Sequence, residues 1–143
     1  MVIRIIITLK QNQSEVRDLV NWTVHKIKEH YVLPGSLIIK VKNCSRTFAG
    51  RSFKCFNGRP LVVCRIGASN KFPIEYQYPG LKTSPRYELS TWQEALVSLC
   101  AHELMHQNQF LFNKKRSELE CEDVSLKILT EYRESNNNNT TRE

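Results

Sequence analysis

The chain has 143 residues, 41% of them hydrophobic, with a formal net charge of +7. That length is one domain with enough apolar residues for its own core, so an array of domains is excluded. Five cysteines, an odd number with no C-x-x-C pair, exclude a disulfide framework and a zinc ribbon, and free, buried thiols are expected.

In chain order, Met1 to Lys10 is apolar but broken by Arg4 and too short for a membrane span. It lacks a small-residue cleavage site, so a strand is expected rather than a signal peptide, with a cytoplasmic location and no membrane partner. Ser14 is placed to cap a helix running to about Tyr31, with Val16, Leu19, Val20, Thr23, Val24 and Ile27 on one face and Pro34-Gly35 ending it. His25 and His30 on this helix have no neighbours to complete a metal set and are expected to be solvated. Ser36 to Lys42 alternates as a strand, Arg46 to Phe56 reads as a weaker strand or hairpin arm, Asn57-Gly58 signals a turn, and Pro60 to Gly67 is a further strand. Pro73 and Pro79 keep Phe72 to Tyr78 at an edge or outside the sheet. An extended substrate could add to an edge formed by Leu61 to Ile66 or by Ile74 to Tyr78. Tyr76, Tyr78, Tyr87 and Tyr132 read as packing residues, with one of them a candidate to stabilise an oxyanion.

Ser90 is followed by Gln93 and Thr91 by Glu94, both at capping-box spacing. Ala95, Leu96, Leu99, Cys100 and Met105 follow with no Gly or Pro before Asn113, which predicts one long, largely buried helix. On it stands His102-Glu103-Leu104-Met105-His106. Histidines at i and i+4 share a helix face and can grip one divalent metal, with zinc the expected cofactor. Glu103 then lies beside the water that such a metal activates and can take its proton, which is hydrolase chemistry, with a peptide or protein as the expected substrate.

A catalytic zinc usually has three protein ligands, and no histidine follows His106. A downstream carboxylate is the remaining economical donor. Ser117 to Asp123 offers several at the start of a second helix running to about Tyr132, where Ser117 with Glu120 makes another capping box and Glu118 and Glu122 share a face. Glu118 or one of its neighbours is therefore the third candidate. Lys114-Lys115-Arg116 falls in the loop between the two helices, where it either steers an acidic peptide or keeps the loop solvated. From Ser135 the chain is of low complexity, with Asn136 to Asn139, so a domain of 1–134 and a disordered tail of 135–143 are expected.

From Trp92 to Leu129 the chain resembles the gluzincin zinc metallopeptidases, whose HExxH helix is followed by a helix opening with E-x-x-A-D or a close variant. It is similar in compactness to minimal gluzincin peptidases and to SprT-like or ImmA-like metallopeptidase domains. The resemblance implies Glu118 as the third zinc ligand, Cys121 at the small position, and Glu122 as the acid that orients a ligand histidine. Glu120 as ligand would rotate the site. The implied fold is α+β: a small zincin-like domain whose mixed or antiparallel sheet packs against the N-terminal helix and the HExxH helix, followed by the Glu-bearing helix. A monomer is expected. The other class of function is a non-catalytic zincin-fold binding protein that uses its positive charge on nucleic acid; no nucleic-acid motif accompanies that charge, and the intact Glu103 argues against it.

Overall fold

A computed structural model describes residues 2–44, 48–67 and 70–141, the last four by backbone alone. The elements in chain order are β1 (Val2–Ile7), α1 (Gln13–Lys28), β2 (Ser36–Cys44), β3 (Ala49–Phe56), β4 (Arg59–Gly67), β5 (Ile74–Tyr76), β6 (Tyr87–Leu89), α2 (Trp92–Leu111) and α3 (Glu118–Thr141). The fold is α+β, with a mixed four-stranded sheet in the order β1-β2-β4-β3 and a separate antiparallel pair β5-β6. β1, β2 and β4 are parallel; β3 runs antiparallel to β4 at the sheet edge.

Each element follows from local chemistry. Leu37, Ile39 and Val41 alternate into the core along β2, as a strand with one covered face requires. β3 and β4 are joined by Asn57 and Gly58, both at positive φ (52° and 82°), the conformation of a two-residue hairpin. In α1 the six residues expected on the inner face are the buried ones. Its N-cap position is Asn12, in the left-handed region, rather than Ser14, and no side chain caps it.

α2 is the centre of the molecule. Every residue from Ala95 to Gln109 is buried except Leu99, because α1, α3 and the β3-β4 hairpin surround it. Thr91, not Ser90, is its N-cap, accepting from the Glu94 N–H, while the Glu94 carboxylate accepts from the Ser90 N–H at 2.9 Å. The buried polar side chains on α2 serve as struts: Gln107 Nε2 donates to the carbonyls of Phe53 and Leu61, and Asn108 Nδ2 to that of Val32.

Two expectations are corrected, and one falls partly outside the described residues. Leu61 to Ile66 lies within β4, between β2 and β3, so it is an inner strand; β3 is the sheet edge beside α2. The first residues of the expected strand 46–56 fall outside the described residues, and β3 begins at Ala49. The C-terminal helix, expected to end near Tyr132, continues to Thr141, with no Gly or Pro to stop it. Among the described residues no helix is long and apolar enough to cross a membrane.

Candidate metal centre and cleft

α2 and α3 bring together the residues singled out by spacing. One turn apart on α2, His102 and His106 direct their Nε2 atoms at the same oxygen, Glu118 Oε2, at 2.8 and 3.0 Å. Glu118 is the first residue of α3, and Glu122, one turn later, places Oε2 2.7 Å from His102 Nδ1. Both histidines are buried, and Glu118 is partly exposed at the rim.

The hydrogen-bond pattern fixes which ring nitrogens are bare. Glu122 can only accept while ionised, so His102 Nδ1 carries the proton. Gln109 Nε2 donates to Ser117 O and Glu120 Oε1, which leaves Gln109 Oε1 to accept from His106 Nδ1 at 2.9 Å. In neutral imidazoles both Nε2 atoms then present lone pairs, and they face a carboxylate oxygen that also presents lone pairs. Three acceptors converging on one point are relieved by a proton on a ring or by a cation among them, so the donor set can hold a divalent metal.

The charges agree with that geometry. Burial opposes the charged form of His102, but Glu122, Glu103 and Glu118 outweigh it and raise the pKa of the ring. Burial likewise works to raise Glu118, and the two imidazoles overcome it and hold its carboxyl below the ordinary range. The rings are pinned from behind: Tyr78 stacks on His102 at 5.3 Å and 5°, and Phe110 on His106 at 6.2 Å and 16°.

Cys121 belongs to the same neighbourhood. With His102 and His106 it forms a buried group whose donor atoms lie within 4.8 Å of one another, a cluster able to hold a metal ion. Its Sγ, however, is 3.5 Å from His106 Nδ1, the nitrogen that already donates to Gln109. Burial and then the surrounding carboxylates push its thiol far above its ordinary pKa in the metal-free protein. The Nε2 side of both rings is occupied by Glu118 instead.

Glu103 lies on the same helix, 5% exposed, and lines a cleft of about 330 Å³ together with His102, His106 and Glu118. Ser52 Oγ on β3 sits 2.7 Å from both its Oε2 and its backbone oxygen. Burial raises the Glu103 pKa, opposed by His102, Ser52 and His106. β3 approaches so closely that a Cβ at Gly50 would fall 2.7 Å from Glu103 Oε1 and 2.7 Å from Leu99 Cδ1. Tyr76, Tyr78 and Pro79 also line the cleft.

Of the sequence candidates, His102, Glu103, His106, Glu118 and Glu122 meet here, whereas Glu120 turns to Gln109. His25 and His30 are exposed. Ser52 and Gly50 were not legible as site residues, because each meets α2 from a strand distant in sequence, and Gln109 was not singled out either; Arg116 belongs to the basic loop that the sequence offered for steering an acidic peptide, and it lines the cleft. Compared with known proteins, the chain matches no family model, no curated protein and no solved structure.

Proposed function

We propose that this chain is a zinc-dependent peptidase of gluzincin type, with His102, His106 and Glu118 as the metal ligands and Glu103 as general base. The observation that carries the reading is the convergence of the His102 and His106 Nε2 atoms on Glu118 Oε2, with the Glu103 carboxylate in the same cleft. Zinc, when bound, supplies Lewis acidity to the scissile carbonyl and makes water a nucleophile near neutral pH. Glu103 takes the proton as the water oxygen bonds to the carbonyl carbon, and returns it to the amide nitrogen as the C–N bond breaks. Ser52 holds Oε2, so Oε1 is the oxygen available for that proton. A carboxyl raised by burial suits the exchange, since a base works best with its pKa near the working pH. β3, an edge strand among the described residues, runs beside Glu103, where an extended peptide would add to it through main-chain hydrogen bonds.

The test is Glu103→Gln. Purified variant and wild type should carry one zinc each, and only the wild type should cleave a mixed peptide library. Cleavage by the variant at the wild-type rate refutes the mechanism.

A further inference from the structure

The two ends of the cleft differ in chemistry. Leu99 marks one end on α2 and His106 the other, roughly 10 Å apart at 1.5 Å per residue, the span of about three extended peptide residues. At the Leu99 end stand Phe48 and Tyr76, whose rings are 5.5 Å apart. At the His106 end stands Arg116, whose Nε donates to Glu118 Oε1 at 3.2 Å while its side chain remains 58% exposed.

That one contact leaves both terminal guanidinium nitrogens without a partner among the described residues. It also pairs Arg116 with a carboxylate that two imidazoles already share. Lys114 and Lys115 precede it; Lys114 Nζ donates to Asn108 Oδ1 and lies over the Phe112 ring at 5.6 Å, and Lys115 is exposed. Of these three cations only Arg116 lines the cleft, where it stands against Glu103, Glu118 and Glu122, so it is the group placed to meet a peptide carboxylate, beside an aromatic and apolar wall. Arg is suited to bidentate capture of a carboxylate.

We propose that the cleft selects peptides carrying a carboxylate at the Arg116 end and an apolar or aromatic residue at the Phe48–Tyr76 end. The carboxylate comes either from an Asp or Glu side chain or from a free chain end. This deepens the peptidase reading and rests on it for the kind of ligand.

Binding without turnover separates the two claims. Three fluorescent hexapeptides share one Phe, followed or preceded three residues away by Glu with both ends blocked, by Gln with both ends blocked, or by Gln with a free C-terminus. Anisotropy titrations use the Glu103→Gln protein at low and high salt, with zinc content measured in parallel. A carboxylate-bearing peptide should bind about tenfold tighter than the blocked Gln peptide at low salt, and the arm that shows the gain identifies the source. In Arg116→Gln the two should fall within twofold of each other, while Lys115→Gln retains the preference. Equal affinities in the parent protein, or a preference that survives Arg116→Gln, overturn the proposal. Carboxylate preference without cleavage by the wild type sinks the peptidase reading alone; cleavage without that preference sinks only the specificity.

Discussion

A methyl group at residue 50 is the smallest probe of how closely the sheet edge backs the proposed base. Gly50→Ala sets a Cβ 2.7 Å from Glu103 Oε1 and 2.8 Å from its Cγ, closer than real carbon contacts allow, so the carboxylate must shift. A displacement of that order costs on the order of 100-fold in rate, and kcat for peptide hydrolysis should fall by about that factor while zinc stays bound. Wild-type kcat in this variant would show that the base is not held by β3. Glu122→Gln weakens the acceptor that fixes His102, and zinc affinity measured by competition with a chromophoric chelator should drop about 10- to 100-fold. An unchanged affinity would remove Glu122 from the site. At this scale the histidines and acids were legible because i, i+4 spacing and a capped helix place them regardless of the rest of the fold. Ser52 and Gly50 were not, because a serine or glycine in a strand carries no mark of the helix it will meet.

The helices that carry the proposed ligands are fastened at their far ends by charge. Glu94 near the start of α2 pairs with Arg133 of α3 at 2.9 Å, and Arg133 also donates to the Glu88 carbonyl in β6, so three elements share one guanidinium. Burial works to raise the Glu94 carboxyl, but Arg133 and the Ser90 N–H outweigh it and lower its pKa. Its folded pKa lies below the unfolded value, so this clamp contributes fully above about pH 4.5 and is lost as pH falls through the folded value. Glu94→Gln should cost about 1 kcal/mol in urea unfolding at pH 7, and the difference from wild type should shrink as the pH falls through the lowered folded value. A difference that is constant with pH would deny the ion pair its role. The helices themselves could be read from caps and periodicity, whereas the strand pairing could not. Val62 and Val63 have the same character in an inner strand as at an edge, and only the antiparallel return of β3 decides which one β4 is. β5 and β6, three residues each, are too short to leave a period, and the α3 extension hides in an Asn run that reads as low complexity.

For the molecule as a whole, a metal held by α2 and α3 joins folding to binding, since an unfolded chain cannot assemble the donor set. Zinc at about 1000 times its Kd would stabilise the fold by about 4 kcal/mol, a rise in Tm on the order of 10 °C for a domain of this size. Differential scanning fluorimetry should show that rise in the wild type, its reversal by a chelator, and its absence in His106→Ala; an equal rise in His106→Ala would place the metal elsewhere. The class of fold and the helix pair were open to sequence reasoning because they rest on local signals, while the cleft walls depend on how distant segments meet. The most direct measurement of the centre is zinc-edge X-ray absorption on the loaded wild-type protein. Ligation by His102, His106 and Glu118 predicts nitrogen and oxygen neighbours only, at about 2.0 to 2.1 Å, with the spectrum unchanged in Cys121→Ser. A sulfur neighbour at about 2.3 Å that disappears in Cys121→Ser would contradict it, and would make the thiol, not the Glu118 carboxylate, the third ligand.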